Sequence, residues 1–152
     1  MNAQIGREAA LIYIDGASWG NPGPAGVGVV IQAANGRPGA QLSKYLGEAT
    51  NNVAEYAALL YALAEAQARG LRRVMIRTDS ELLARQINGD YRVRDGTLRL
   101  LHDLAKHLMR GFAQCTVEHV SRNENTQADR LATEAVEGRM SSITMEGKRA
   151  EA

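Results

Sequence analysis

Only one cysteine, Cys115, occurs in 152 residues, which excludes an internal disulfide and any zinc site built from several thiolates. No apolar run approaches the ~20 residues needed to span a bilayer. The first residues lack the basic-then-apolar pattern of a secretory signal. With these signals missing, the expected location is the reducing cytoplasm. Aromatic residues are scarce, at 5%, and Trp19 is too isolated to be read as a stacking platform for bases. A strong excess of one charge sign is also lacking. The formal net charge is +1, which argues against an indiscriminate polycation. What is present is the composition of a soluble globular protein, 45% hydrophobic and 23% charged, in a chain long enough for one domain with a real core.

The charge is unevenly spread. From Arg69 to Arg122 there are eleven Lys/Arg against six Asp/Glu, with three against five before and four against six after. A basic face of this kind can meet phosphates, although solvated helix faces account for it equally well.

The periodicity predicts strands over 9–15, 26–31, 41–47, 73–78 and 113–120, and helices over 51–69, 80–87, 98–109 and 126–136. Gly20-Asn21-Pro22-Gly23-Pro24 is a dense turn signal, and Asn35-Gly36 marks a hairpin. Leu98, Leu101, Leu104, Ala105 and Leu108 form the expected apolar side of the third helix. The domain is expected to span 1–138, with 139–152 a mobile tail lacking periodicity. Three turn-linked strands followed by alternating helix and strand give an α/β fold: a five-stranded mixed sheet with helices on both faces, its first, fourth and fifth strands parallel. In such sheets the binding crevice lies beyond the carboxyl ends of adjacent parallel strands.

Four acids stand out against this frame. Asp15 ends the run Leu11-Ile12-Tyr13-Ile14, and Asp79 ends Val74-Met75-Ile76-Arg77-Thr78. Glu55 is the only charged residue from Val53 to Leu60, and Asp129 lies near the start of the last helix. Acids so placed cost free energy unless compensated. A divalent cation shared by all four is the simplest compensation, and oxygen-only ligands suit Mg²⁺ or Mn²⁺. Each acid also has an ordinary explanation. Asp15 and Asp79 fit strand-end turns or caps, Glu55 the positive end of a helix dipole, and Asp129 a loose capping box with Thr126.

The joint placement of the four, with their neighbours, resembles the type 1 ribonuclease H family. Tyr13-Ile14-Asp15-Gly16-Ala17-Ser18 with Gly20-Asn21-Pro22-Gly23-Pro24 is similar to its opening motif. Thr50-Asn51-Asn52-Val53-Ala54-Glu55-Tyr56, Thr78-Asp79-Ser80 and Asn125-Thr126-Gln127-Ala128-Asp129-Arg130-Leu131-Ala132 are similar to its second, third and fourth. The chain is expected to act as a monomer, and the resemblance implies a ribonuclease H-like sheet and an endonuclease. It implies cleavage of the RNA strand of RNA–DNA hybrids, leaving 5′-phosphate and 3′-hydroxyl ends. Two Mg²⁺ ions, with Mn²⁺ as substitute, would be held by Asp15, Glu55, Asp79 and Asp129. It also implies that Asn21, Asn51 and Asn52 line the substrate groove, with Thr50 a further candidate for a phosphate contact. Amides suit the wide minor groove of a hybrid. Capping of the helix by Asn51 or Asn52, and a turn role for Asn21, are compatible alternatives.

Three departures from better-known members follow. The segment from Asp90 to Thr97 is too short for their basic helical protrusion, so the resemblance is to compact members, with Tyr91, Arg92 and Arg94 as partial replacements. Glu81 stands where glutamine is frequent. Arg122 stands in the short loop where many members carry a histidine, and is assigned to the catalytic set. His119 is read as a structural strand residue, and His102 and His107 as surface residues.

Overall fold

The computed structural model describes residues 9–33 and 39–139 in full, and the backbone of 142–145 and 148–151. Three antiparallel strands come first: β1 (Ala9–Ser18), β2 (Gly23–Ala33) and β3 (Ala40–Ala49). The chain then alternates through α1 (Asn51–Ala68), β4 (Arg73–Thr78), α2 (Glu81–Ile87), α3 (Gly96–Met109), β5 (Gln114–His119) and α4 (Thr126–Gly138). A 3₁₀ turn, Arg122–Glu124, links β5 to α4. The expected hairpin turn at Asn35-Gly36 lies outside the described residues.

As expected, β1, β4 and β5 run parallel, and β2 and β3 extend the sheet antiparallel. The sheet also continues further than expected. Ser142–Met145 (β6) pairs antiparallel with β3, and Lys148–Glu151 (β7) pairs with β6, giving the order β5-β4-β1-β2-β3-β6-β7. The absence of periodicity after Gly138 did not signal these strands. Edge pairing is made by backbone N–H and C=O groups and needs no apolar stripe.

The two faces of the sheet are covered unequally. On one face α1, α2 and α3 build the larger core, in which Ile12, Ile14, Leu59, Leu63 and Ile76 are fully buried. On the other, α4 alone packs Ala128 and Leu131 against Val30, with Tyr13 beside them. Residues of β1 alternate between these faces, so one strand serves both cores. Leu104 departs from the expected apolar side of α3: it is 46% exposed, because the core-facing stripe of this helix is narrower and centred on Leu98 and Ala105.

Candidate active site

The geometry begins with the β1–β4 register. Ile14 pairs with Thr78 as the last pair of that parallel ladder, so Asp15 and Asp79 are the next residues on adjacent chains. The backbone of β1 continues to Ser18 in its pairing with β2, so Asp15 sits inside the strand and not at its end, and it is buried. Beyond β4 the buried Thr78 hydroxyl accepts from Ser80 N–H at 3.0 Å, and Ser80 caps α2 by accepting from Leu83 N–H at 3.1 Å. These bonds turn the chain at Asp79, and the cap belongs to Ser80, which removes the capping explanation for the aspartate.

Glu55 arrives from α1. Thr50 is the N-cap of that helix, its hydroxyl accepting from Val53 N–H at 3.2 Å. The helix lies directly against β1 because residue 16 is glycine: a Cβ there would stand 2.2 Å from the carbonyl carbon of Ala54. This close approach lets Glu55 Oε1 accept from Gly16 N–H at 2.9 Å. Carboxylate oxygens of Asp15, Glu55 and Asp79 consequently lie within 4.8 Å of one another.

Their electrostatics follow from the crowding. Burial, reinforced by the charges of Glu55, Asp79 and Asp129, holds the Asp15 carboxyl well above the usual carboxylate range. Glu55 is raised in the same way, first by burial and then by Asp79; the Gly16 N–H and the Arg122 charge pull it back in part. Asp15 and Glu55, raised in this way, hold protons more readily than free carboxyls until a cation takes their place. The donor set, oxygen-only and anionic, fits a hard divalent ion such as Mg²⁺ or Mn²⁺.

Asp129 is adjacent to this trio without belonging to it. Its charge reaches Asp15 and Glu55, but it lies outside the group whose ligand atoms are mutually within 4.8 Å. It stands half-buried on the first turn of α4. The capping-box explanation for it fails, because the N-cap is Asn125, one residue earlier. The helix rests tightly on β2 at Gly28, where a Cβ would meet the Ala128 carbonyl oxygen at 2.1 Å.

The asparagines form a chain of bonds beside the acids. Asn51 N–H donates to Asn21 Oδ1 at 3.0 Å, and Ser18 N–H donates to Asn51 Oδ1 at 3.1 Å. The turn at residues 20–24 is thereby tied to the start of α1. Asn21, Asn51 and Asn52 are all exposed. Capping of α1 falls to Thr50, not to either asparagine. Arg122 opens the 3₁₀ turn, exposed, with its charge acting on Glu55. His119 is the last residue of β5, paired in register with Thr78; it is exposed and lacks the packing expected of a structural residue. His102 is half-buried, edge-on to Tyr56 and 3.2 Å from the Gln86 carbonyl oxygen, so it is not the surface residue expected; His107 is exposed.

One residue of the site carried no role in the sequence reading. Asn125 is buried, and its Nδ2 donates to the Ile14 carbonyl at 2.8 Å. A polar residue directly before a helix reads as a cap, and nothing local separates a cap from a long-range tether.

Comparison with known proteins adds independent findings. Residues 13–135 match the family model described as "Reverse transcriptase-like". Ribonuclease HI of Halobacterium salinarum is 42% identical over 125 residues, which are 82% of this chain and 63% of that protein. The crystal structure of RNase H1 from the same archaeon superposes with a TM-score of 0.83 at 41% identity, covering 86% of this chain and 98% of that one. LC11-RNase H1, solved in complex with an RNA/DNA hybrid, gives a TM-score of 0.80 at 40% identity, covering 86% and 98%. The chain spans less than two thirds of the curated relatives it matches first, 63% and 35% of their lengths.

Proposed function

The chain belongs to the type 1 ribonuclease H family, and from that premise we propose that it is a metal-dependent endonuclease hydrolysing the RNA strand of RNA–DNA hybrids. The observation that carries the reading is the meeting of Asp15 and Asp79, just past the last β1–β4 pair, with Glu55 from α1. Asp129 supplies a fourth carboxylate from the opposite face of the sheet. These four would hold two Mg²⁺ ions, with Mn²⁺ as substitute. Bound there, the cations would supply the charge that makes water a nucleophile and stabilises the leaving oxygen.

The remaining chemistry falls to the protein's own groups. Free amide donors of Asn21, Asn51 and Asn52 face the minor groove, where 2′-hydroxyls and base edges are offered together. The hydrogen bonds from Asn51 N–H to Asn21 and from Ser18 N–H to Asn51 orient these amides before substrate arrives. The Thr50 hydroxyl accepts from Val53 N–H through one of its lone pairs, which leaves its proton for a phosphate oxygen. Arg122 stays protonated in any protein environment, so its work is electrostatic. It attracts the scissile phosphate against the repulsion of the acids. A water oxygen forms the new bond to phosphorus and the bond to the 3′-oxygen breaks, with one proton passing to that oxygen. The products are a 5′-phosphate and a 3′-hydroxyl.

The chain is proposed to act as a monomer in the cytoplasm; among the described residues no helix is long and apolar enough to cross a membrane. The catalytic unit is proposed to be residues 1–138, which hold all four acids, with β6 and β7 extending the edge of its sheet. Matched RNA–DNA, RNA–RNA and DNA–DNA duplexes, incubated with and without Mg²⁺ or Mn²⁺, test the reading. Cleavage confined to the RNA of the hybrid, and dependent on metal, is the expected result. Equal cutting of the all-DNA duplex contradicts it.

A further inference from the structure

Asn125 is 1% exposed, and one of its two side-chain polar atoms has no partner among the described residues. Its Nδ2 donates to the Ile14 carbonyl at 2.8 Å, across 111 residues of sequence. A carbonyl oxygen only accepts, so this contact fixes which end of the amide is nitrogen. Oδ1 is then buried with no partner among the described residues. Leaving a buried acceptor unpaired costs stability, and packing alone does not explain why this residue should be an asparagine.

Its position offers the explanation. Ile14 immediately precedes Asp15. The Asn125 backbone carbonyl accepts from Asp129 N–H at 3.1 Å, the first bond of α4. One residue therefore joins the backbone that carries Asp15 to the helical turn that carries Asp129. The three tightly grouped acids have supports of their own: the β1–β4 register and the Gly16–Glu55 bond. Asp129 lies outside that group, and the smaller core beneath α4 has few large side chains to hold it.

We propose that Asn125 is a positioning residue whose tether to Ile14 sets the approach of Asp129 to Asp15, completing the divalent-cation site with its fourth carboxylate. This rests on the metal-site reading above. An aspartate at 125 could not serve when ionised, since it would present only acceptors to a carbonyl beside four other acids. Alanine would remove the tether at the start of α4 and leave Asp129 to the packing of the helix and the Ser43–Leu131 hydrogen bond further along it.

The test is calorimetric titration of the substrate-free protein with Mn²⁺. Thermal melting and hybrid cleavage at varied Mn²⁺ run alongside it. For Asn125→Ala the Mn²⁺ affinity is expected to weaken about 10- to 100-fold, as for loss of groups that orient metal ligands. The Mn²⁺ concentration for half-maximal cleavage rises in step. KM for the hybrid at saturating Mn²⁺ changes less than about twofold, because Asn125 is buried away from substrate. Asn125→Ser keeps a donor of shorter reach; its Mn²⁺ affinity is expected to fall between alanine and wild type, and it carries the test if the alanine variant fails to fold. A folded variant with wild-type Mn²⁺ affinity and metal dependence, however low its Tm, overturns the proposal. Wild-type protein that binds Mn²⁺ and cleaves no hybrid would instead overturn the functional reading, and the calorimetry would still decide the role of Asn125.

Discussion

Glu55 and Asp129 approach the same site from opposite faces of one sheet, and they are held there by different means. Glu55 rides on α1, an 18-residue helix backed by the larger core. The glycine contact at residue 16 and a hydrogen bond to its own carboxylate fix it further. Asp129 rides on α4, over a small cluster of Val30, Ala128 and Leu131, and that helix is fixed by its close approach to β2 at Gly28, a buried Ser43–Leu131 hydrogen bond and the buried amide of Asn125. Packing distributed over many atoms is stiff in every direction, whereas a hydrogen bond can be lost to one substitution. The difference divides the site into a tightly grouped trio and a fourth acid set apart from it.

The most severe way to break that division is to remove a member of the trio. Asp79→Asn is expected to abolish cleavage in initial-rate assays, since it deletes an anionic ligand at nearly constant size. The metal-free fold should survive and melt at equal or higher temperature, because one of the charges opposing Asp15 and Glu55 is gone. Asp129→Asn should cost less than Asp79→Asn. Near-wild-type turnover by the Asp79 variant, or the reverse ranking of the two, removes the distinction.

Crowding each helix away from the sheet comes next. Gly16→Ala places a Cβ 2.2 Å from Ala54, and Gly28→Ala places one 2.1 Å from the Ala128 carbonyl oxygen. Overpacking of this sort costs about 1–3 kcal/mol or more, so both variants should melt earlier. The comparison is sharpened by Mn²⁺ titration of each. Gly16→Ala should lose the affinity contributed by Glu55, whereas Gly28→Ala should resemble an Asp129 variant. Indistinguishable titrations would mean that the two helices are not independently supported.

A smaller loss is expected on the exposed side of the site. Arg122→Ala should lower turnover roughly 10- to 1000-fold, equivalent to about 1.4–4 kcal/mol for one favourable charge contact. Arg122→Lys should recover part of that, since charge is kept while the planar fork is lost. His119→Ala should be affected far less. If His119→Ala loses turnover and Arg122→Ala does not, the loop between β5 and α4 acts through the histidine.

The smallest effect is on stability against pH. Asp15 and Glu55 have folded-state pKa values raised above their ordinary values of 3.8 and 4.5. Between the ordinary and the raised values the folded protein binds more protons than the unfolded chain. The metal-free protein should therefore be at its best, as far as these groups are concerned, below about pH 4, and lose stability as pH rises through neutrality. Saturating Mg²⁺ should flatten that decline, and metal binding should release protons. Melting curves from pH 5 to 9, with and without Mg²⁺, check both signs. A metal-free protein that gains stability across this range would show that the acids are ionised and compensated by something else.

Most of the framework was legible in the residues. Strong alternation and apolar runs located the five central strands, and glycine and asparagine marked the turns, because these are local properties of the chain. The parallel order of β1, β4 and β5 followed from the intervening helices. What escaped was non-local. The strands after Gly138 pair through backbone on an edge, which leaves no side-chain signature. Asn125 stood in the sequence only as the first residue of the fourth motif, and only the fold shows that its amide reaches Ile14. His119 read as a structural strand residue; it does close β5, but its side chain is exposed there.

The sequence by itself determined the chemistry: four acids in apolar or helix-starting settings, three asparagines beside two of them, and an arginine in the last loop. Those are matters of residue type and spacing, and each was nameable before any fold was known. Only the tertiary structure decided how the acids share a site. The β1–β4 register puts Asp15 beside Asp79, the missing Cβ at Gly16 admits Glu55, and the Asn125 amide ties the turn carrying Asp129 to β1. Such distances arise between segments up to 111 residues apart, and no local pattern encodes them; they are set by which surfaces can approach closely once the core has formed.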